Sequence, residues 1–321
     1  MQPKLWLVIP CYNEEEMLGI SIGIIRNKMR SLIDSGLVSD ESKILFVDDG
    51  SVDKTWEIID KVSEADPVFV GIKLAHNAGH QNALMAGMMY AKNKCDCIIS
   101  MDADLQDDID AIEKMVEKYN EGCQIVYGVR SSRQKDTAFK RGTAQLFYKL
   151  MNKMGANIVY DHADYRLLSS QALQALENYE ETFLFLRGIV PSLGFKTDKV
   201  YYERKERAAG ESKYPLKKMV GFAVDGITSF TVKPLHLIFI IGFLFSFFSI
   251  CGLGYSLISY FLGKTVPGWT TTVCSLWLIG GIIIFCLGII GEYIGKIYFE
   301  VKHRPRYYIE KSTEVAENAK K

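Results

Sequence analysis

Apolar and polar positions along the first 130 residues alternate in blocks that predict strands and helices in turn. Short apolar runs, typical of buried strands, occupy residues 5–9, 43–47, 68–72 and 97–101. Apolar residues at helical spacing fill the gaps, over residues 14–33, 55–65, 81–92 and 110–119. This alternation predicts an α/β fold with an open, mostly parallel sheet. Ligands of such sheets bind beyond the carboxyl ends of the strands.

Two long uncharged stretches near the C-terminal end predict a pair of membrane-spanning helices. The stretches cover residues 235–262 and 265–291, and each exceeds the roughly 20 residues that a span requires. Buried helices of a large soluble protein are the alternative interpretation of each stretch. Because a short segment containing Pro267 and Gly268 joins them, a transmembrane hairpin with helices at about 235–262 and 269–291 is favoured.

Basic residues predict how this hairpin is oriented. Four lysines lie within residues 213–233 and four lysines or arginines within 294–306, whereas the connecting loop has only Lys264. The positive-inside rule therefore places both termini in the cytoplasm, in a multi-pass protein of the plasma membrane. The first seven residues are too short and too polar for a cleaved signal sequence.

The predicted organisation has four parts. They are a cytosolic domain (1–212), an amphipathic juxtamembrane segment of one or two interfacial helices (213–233), the hairpin (234–293) and a cytosolic tail (294–321). The tail after Glu310 is polar and charged, and is expected to be disordered. The balance of 38 basic and 38 acidic residues argues against a nucleic-acid binder. None of the seven cysteines has the spacing of a zinc site.

An acidic segment follows the fourth predicted strand and is the strongest chemical signal in the sequence. Asp102, Asp104 and Gln106 supply hard oxygen ligands at one strand end, which suits Mg²⁺ or Mn²⁺ and the phosphate that such an ion carries. The alternative is a helix entry, in which Asp107 and Asp108 cap the following helix. Capping explains the later pair better than the earlier one.

Two further polar clusters follow the first and second strands. The first cluster contains Pro10, Tyr12, Asn13 and Glu14. The second contains Asp48 beside Gly50, which permits a tight turn. An Asn-capped turn and an acidic turn are the local alternatives. Clustered carboxylates repel one another unless a cation or a ligand compensates, so three such strand ends in one sheet favour a binding site.

The order of these motifs resembles a known enzyme family. VIPCYNEE (8–15), VDDGSVDKT (47–55) and DADLQDD (102–108) resemble the inverting family 2 glycosyltransferases, which have a Rossmann-like GT-A fold and nucleotide-sugar donors. ADYRLL (163–168), RAAGESKY (207–214), GEYIGKIY (291–298) and RPRY (304–307) resemble its polyprenyl-phosphate branch, which includes bactoprenol glucosyltransferases. The likeness runs through nearly the whole chain.

The resemblance implies a role for each motif on the donor side. It assigns nucleotide-sugar binding to Pro10, Tyr12, Asn13, Glu14, Asp48 and Asp102. Asp102, Asp104 and Gln106 match the positions around the metal and the diphosphate. Arg130 resembles an arginine close to the phosphates, and a surface salt bridge is its alternative role. His80 lacks metal-ligand spacing and is expected to be mainly structural, although residues 76–81 resemble a loop near the donor.

The acceptor side rests on the same resemblance. Asp164 matches the position proposed as catalytic base, although a phosphate with a second pKa near 6 needs little deprotonation. Asp164 equally suits orienting the sugar or the acceptor, or pairing with Arg166. Arg207, Ser212 and Lys213 match an acceptor-phosphate site just before the membrane, where attraction to anionic lipids is the alternative.

The implied reaction is transfer of a hexose, first of all glucose from UDP-glucose, onto undecaprenyl phosphate. N-acetylglucosamine, mannose or an aminoarabinose derivative are alternatives, and a non-catalytic membrane scaffold is the alternative of another class. The oxygen ligands at Asp102, Asp104 and Gln106 argue against the scaffold. Relatives imply a homo-oligomer formed through the membrane helices, for which packing within the hairpin is the competing explanation of the glycines there.

Overall fold

The computed structural model describes residues 2–131, 162–182, 184–203 and 268–314, together with scattered positions between 235 and 262. The chain divides into two compact units. One unit contains the sheet and resumes at Pro305, and the other contains the long C-terminal helix. The juxtamembrane segment 213–233 lies outside the described residues, so it stays a prediction.

The described residues contain eight strands, which form a single mixed sheet. They are β1 (Leu5–Cys11), β2 (Lys43–Asp48), β3 (Phe69–Leu74), β4 (Cys97–Ser100), β5 (Ile125–Arg130), β6 (His162–Ser169), β7 (Thr197–Tyr202) and β8 (Ile309–Ser312). Their order is β7-β5-β6-β4-β1-β2-β3-β8. Four pairings are parallel and three are antiparallel. The expected α/β fold with a mostly parallel sheet is therefore confirmed.

The helices that the structure describes lie between and after these strands. They are α1 (Glu15–Asp34), α2 (Thr55–Ala65), α3 (His80–Ala91), α4 (Ala111–Asn120), α5 (Ser170–Glu177), α6 (Leu186–Ser192) and α7 (Trp269–Val301). The first four strands and the first four helices begin and end within two residues of their predicted bounds. Strands β6 and β7 and helices α5 and α6 were not predicted as elements.

The centre of the sheet is buried on both faces, which explains its uninterrupted apolar runs. Every residue of β1 from Leu5 to Ile9 is buried, so both faces of this strand meet other side chains. Helix α3 packs closely against β1 and β2 at Gly87. A Cβ at this position would lie 2.4 Å from Cγ1 of Val8 and 2.7 Å from Cγ2 of Val47. Because Gly87 has no side chain, α3, the helix that begins with His80, can pack this closely against the sheet.

The segment after the long helix returns to the sheet as β8, so the expectation of disorder after Glu310 is wrong for the described part of the tail. Strand β8 pairs antiparallel with β3, with Ile72 opposite Ser312. The Gly71 N–H donates to Oγ1 of Thr313 at 2.8 Å, and the Thr313 N–H donates to the Gly71 carbonyl at 2.9 Å. All four residues of β8 are exposed, so backbone pairing rather than apolar burial orders them.

Helix α7 contains the candidate membrane span. Within the described chain, Leu278–Val301 is the one helical segment long and apolar enough to cross a bilayer, with a mean hydropathy of 2.1. The helix begins at Trp269 as predicted and continues to Val301 rather than ending at residue 291. Only scattered positions of the first predicted span are described, so the two-helix hairpin stays a prediction.

Candidate active site

The three polar clusters predicted at strand ends meet at one edge of the sheet. Strand β1 lies between β4 and β2 and is parallel to both, so the carboxyl ends of all three strands lie side by side. The backbone N–H of Asp49 donates to the carbonyl of Cys11 at 2.9 Å and joins two of these ends. Polar side chains that lie up to about a hundred residues apart in the sequence are thereby brought together.

The loop after β1 is held by the loop after β2. Asn13, with φ of +52°, donates its backbone N–H to Oγ of Ser51 at 3.0 Å. Its side-chain oxygen accepts from the N–H of Val52 at 3.0 Å. Asn13 therefore fixes the second loop and does not cap α1, whose N-cap residue is Glu14. The preceding residue, Tyr12, is 46% exposed, so its aromatic ring is accessible to solvent.

Adjacent carboxylates at the end of β2 have different surroundings. Asp48 is fully buried, and its Oδ1 accepts from the N–H of Ser51 at 3.1 Å. Its Oδ2 is buried with no hydrogen-bond partner in the described part of the chain. Burial raises the pKa of Asp48, against the opposing effects of the Ser51 hydrogen bonds and of Lys73. One carboxylate oxygen of Asp48 thus has an unused hydrogen-bonding capacity among the described residues.

Asp49, which sequence reasoning did not single out, organises the loop before α3. Its two oxygens accept from the N–H groups of Ala78 at 2.7 Å and Gly79 at 3.0 Å. The neighbouring Gly50 has φ of +67°, and a Cβ there would lie 2.6 Å from the carbonyl carbon of His76. The loops after β2 and β3 therefore approach at backbone contact distance, and only glycine fits this turn.

The acidic loop after β4 bends back on itself at Leu105, which has φ of +51°. Oδ1 of Asp104, a residue only 8% exposed, accepts from the N–H of Gln106 at 3.2 Å. Burial raises the pKa of Asp102 to about 6, with His80 opposing the rise and nearby carboxylates, first that of Asp107, adding to it. Among the described residues, no group of three His, Cys, Asp or Glu side chains is arranged to hold a metal ion.

Asp107 connects the acidic loop to two neighbouring strands and does not cap α4, whose N-cap residue is Asp110. Its Oδ1 accepts from the hydroxyl of Tyr202 at 2.5 Å and lies 3.5 Å from Nη2 of Arg130. Asp107 is 4% exposed and the Arg130 side chain 21%, so this ion pair is largely buried rather than a surface salt bridge. Burial alone would lower the pKa of Arg130, but Asp107 and Tyr202 raise it. Arg130 is thereby held as a cation beside the acidic loop.

Asp164 lies at the centre of a second charged network. Its carboxylate pairs with Arg166, accepts from Nε and Nη2 of Arg187 at 3.3 and 3.1 Å, and accepts from Nε2 of Gln81 at 3.3 Å. The pairing with Arg166, which was the structural alternative for Asp164, is present. Burial alone would raise the pKa of Asp164, but Arg187, His80 and Arg166 hold it well below its usual range. The group is therefore a stable carboxylate and a weak proton acceptor.

His80 bridges the two networks. Its Nε2 lies 3.8 Å from Oδ1 of Asp102 and 3.6 Å from Oδ2 of Asp164. Burial alone would lower the pKa of His80, but the nearby carboxylates of Asp164 and Asp102 raise it. The sequence did not place His80 between these two carboxylates, although the likeness of residues 76–81 to a donor loop was a signal for its position; whether His80 is mainly structural stays a prediction. Arg187 had no comparable signal in the sequence.

The predicted acceptor-phosphate residues Arg207, Ser212 and Lys213 lie outside the described residues. Their assignment stays a prediction.

Comparison with known proteins identifies the family. Residues 6–176 match the family model described as Glycosyl transferase family 2. The chain belongs to this family. Residues 233–297 of this glycosyltransferase match a second family model, described as GtrB C-terminal hairpin, where the sequence predicts its two spans.

Curated relatives of the glycosyltransferase align over nearly its full length. The Bacillus subtilis (strain 168) protein named uncharacterized glycosyltransferase YkoT is 52% identical over 96% of this chain and 92% of its own. A second protein of that strain, uncharacterized glycosyltransferase YkcC, is 40% identical over 95% and 93%. The SfII prophage-derived bactoprenol glucosyl transferase of Shigella flexneri is 37% identical over 96% and 98%.

Proposed function

We propose that this glycosyltransferase moves a hexose from a nucleotide sugar, first of all glucose from UDP-glucose, onto a polyprenyl phosphate at the cytoplasmic membrane face. The observation that carries the proposal is the meeting of three strand ends at one sheet edge, with a buried acceptor at Asp48 and an acidic loop at Asp102 and Asp104. The name of the Shigella flexneri relative supports both the sugar and the lipid acceptor.

The nucleoside binds at the ends of β1 and β2. The exposed ring of Tyr12 offers a stacking face to a base. Oδ2 of Asp48, buried without a hydrogen-bond partner among the described residues, accepts from a base N–H or from a ribose hydroxyl. A uracil ring carries one such N–H, which suits a UDP donor. Pro10, Asn13 and Glu14 shape the backbone of this pocket, and Asn13 does so through the contacts with Ser51 and Val52.

The diphosphate binds beside the acidic loop. Oxygen atoms of Asp102, Asp104 and Gln106 are the donors that Mg²⁺ or Mn²⁺ accepts, and such ions take their remaining ligands from substrate phosphates and water. Burial raises the pKa of Asp102 and the neighbouring carboxylates add to the rise, and a divalent cation would relieve this concentration of negative charge. When bound, the cation neutralises negative charge on the departing nucleoside diphosphate. Arg130, held beside this loop by Asp107, supplies further positive charge to the phosphates.

The transfer step requires little proton movement. A phosphate oxygen of the lipid attacks the anomeric carbon while the bond from that carbon to the diphosphate oxygen breaks, which inverts the configuration and gives a β-linked product. A phosphate monoester is largely ionised at neutral pH. Asp164 is ionised and engaged by Arg166 and Arg187, so it orients the site rather than removing a proton.

The membrane part of the proposal follows the predicted organisation. Arg207, Ser212 and Lys213 bind the acceptor phosphate in front of a two-helix hairpin at 234–293, and both termini face the cytoplasm. The apolar segment Leu278–Val301 supports one of these spans. Self-association through the membrane helices belongs to the same proposal.

Purified protein in nanodiscs provides the test. Undecaprenyl phosphate is supplied with radiolabelled UDP-glucose, UDP-N-acetylglucosamine, GDP-mannose or a UDP-linked aminoarabinose, with Mg²⁺, with Mn²⁺ or with EDTA. We expect lipid-extractable label from UDP-glucose that EDTA abolishes. Label from another donor instead would correct the sugar and leave the reaction class standing. Nucleotide binding without lipid-linked label from any donor would contradict the transferase and favour the scaffold.

A metal-site variant completes the test. Asp104→Ala should lose transfer, whereas Asp34→Ala, at an exposed position near the end of α1, should retain it. Full activity of Asp104→Ala would contradict the metal assignment.

A further inference from the structure

Arg187 lies in the candidate active site, but the proposed donor and acceptor contacts do not include it. It is the second residue of α6, and its Nε and Nη2 atoms donate to the two oxygens of Asp164. About a third of its side chain is exposed (31%), whereas Arg166, the other arginine on this carboxylate, is fully buried. Of the two guanidinium groups, Arg187 is therefore the one that an incoming ligand can reach.

Several positively charged groups converge on Asp164. One carboxylate faces the guanidinium groups of both Arg166 and Arg187, and His80 also lies 3.6 Å from Oδ2. The pKa of Asp164 lies well below its usual range, because Arg187, His80 and Arg166 outweigh the effect of burial. The guanidinium group of Arg187 is the exposed member of this network, and positive charge at such a position stabilises a bound anion.

The start of α6 is clamped from both sides, which fixes the direction of Arg187. The N–H of Leu186 donates to Oε1 of Gln81 at 3.2 Å, and the carbonyl of Leu186 accepts from Nη1 of Arg166 at 3.1 Å. Gln81 also donates to Asp164. One hydrogen-bond network thus holds both Leu186, the residue before Arg187, and Asp164, the carboxylate to which Arg187 donates. A cation fixed in advance stabilises a substrate charge without reorganisation.

His80 links the network around Arg187 and Asp164 to the acidic loop. Its Nε2 lies between Oδ2 of Asp164 and Oδ1 of Asp102, at 3.6 and 3.8 Å. The charge of Arg187 also lowers the pKa of Arg130, against the effects of Asp107 and Tyr202. Arg130 and Arg187, together with a cation that Asp102 and Asp104 would hold, would supply the positive charge that a phosphate group requires.

We propose that Arg187 binds a phosphate oxygen of a substrate and that Asp164 is its positioning residue. The inference rests on the proposed function, since it assigns a phosphate contact within the same site. The phosphate is either the diphosphate of the donor or the monophosphate of the lipid acceptor. A guanidinium group recognises both through paired N–H donors.

The first experiment compares transfer rates of full-length protein in nanodiscs. Wild type must first transfer sugar; if it transfers none, the proposed function fails independently of Arg187. With active wild type, Arg187→Gln should lower kcat/KM by about 10²- to 10³-fold, and Arg187→Lys should recover part of this loss. The control is Arg30→Gln, which removes an arginine that is 63% exposed and 3.4 Å from Asp66. It should stay within about twofold of wild type, since surface ion pairs contribute little.

A second measurement identifies which phosphate is bound. If Arg187 contacts the donor, Arg187→Gln weakens binding of UDP but not of uridine. If it contacts the acceptor, binding of UDP is unchanged and the KM for undecaprenyl phosphate rises. Either pattern supports the proposal.

A third measurement separates contact with phosphate from a purely structural role. The transfer activity of Arg187→Ala is measured with added guanidinium ion, and the melting temperature of each variant is recorded. Recovery of activity by guanidinium supports the contact, even for a variant that melts early. Activity of Arg187→Gln equal to that of Arg30→Gln would overturn the proposal. The proposal would also be overturned if the variants lose transfer activity while the UDP affinity and both KM values stay unchanged and guanidinium restores no activity.

Discussion

The hydroxyl of Tyr202 donates a 2.5 Å hydrogen bond to Oδ1 of Asp107. Both side chains are buried, and the bond joins the last residue of β7 to the acidic loop after β4. Arg130 lies 3.5 Å from the same oxygen. The loop that carries Asp102 and Asp104 is therefore anchored at its far end by residues from two other strands.

Removing this hydroxyl should destabilise the protein and loosen the acidic loop. Tyr202→Phe deletes a donor to a buried carboxylate, which costs about 1.5–3 kcal/mol of the free energy of unfolding. We expect a lower melting temperature and a higher KM for the nucleotide sugar. Tyr201→Phe is the matched control, because the neighbouring ring is 61% exposed. Equal melting temperatures for the two variants would contradict the anchoring role.

The contact between Gly50 and His76 makes a second prediction, on backbone geometry. Gly50→Ala introduces a Cβ 2.6 Å from a backbone carbon at a φ of +67°, so the loops after β2 and β3 must separate. We expect a loss of roughly 1–3 kcal/mol in stability and weaker UDP binding. The contrasting change is Gly19→Ala in α1, where a Cβ meets nothing within 4 Å.

Gly19→Ala should raise stability by roughly 0.5–1 kcal/mol, because alanine favours a helix interior more than glycine does. Thermal melting of both variants checks the pair. The geometric argument fails if both substitutions shift the melting temperature in the same direction.

The sequence was sufficient for those parts of the fold that repeat a local pattern. Strand β2 and helix α2 follow from apolar spacing alone, and parallel neighbours bring Asp48 and Asp102 to one edge of the sheet. Strand β8 was not predicted, because its residues are exposed and mostly polar. Backbone pairing with β3 orders this strand. Periodicity carries no information about such pairing.

The charged networks of the site could not be predicted for a different reason. Tyr202 and Asp107 are 95 positions apart, and Arg187 reaches Asp164 across 23 positions. Each pair depends on where β6, β7 and α6 lie in three dimensions, which no spacing along the chain encodes. The family resemblance supplied the motif residues but neither of these partners.

Asp48 makes a third prediction, in which stability and binding change in opposite directions. Burial raises the pKa of Asp48, so its charged form destabilises the ligand-free protein near neutral pH. Asp48→Asn removes this charge and keeps an oxygen for the Ser51 N–H. We expect a higher melting temperature without ligand. Affinity for UDP should fall about tenfold or more, because the buried acceptor is lost.

Differential scanning fluorimetry with and without UDP measures both effects of the Asp48 change. Asp34→Asn, at an exposed position, serves as the control for the loss of one negative charge. If Asp48→Asn binds UDP with unchanged affinity, the proposed contact of Asp48 with the nucleoside is wrong.

Asp164 makes a fourth prediction, on pH. Its pKa is held well below the usual range in the folded protein, chiefly by Arg187 against the effect of burial. A lowered folded pKa contributes stability that is complete above the unfolded pKa of about 4 and is lost as pH falls toward the folded value. Asp164→Asn leaves the fully buried Arg166 without its anion, which costs about 3–5 kcal/mol at neutral pH.

The difference in melting temperature between wild type and Asp164→Asn should therefore be largest near neutral pH and should shrink as the pH falls below about 4, where the unfolded carboxyl takes up a proton. The exposed Asp40→Asn provides the comparison, since it removes a carboxylate without uncovering a buried arginine. Melting curves of ligand-free protein across this range make the measurement. A difference that stays constant with pH would mean that the charge of Asp164 does not hold the network together, and that its role lies in shape alone.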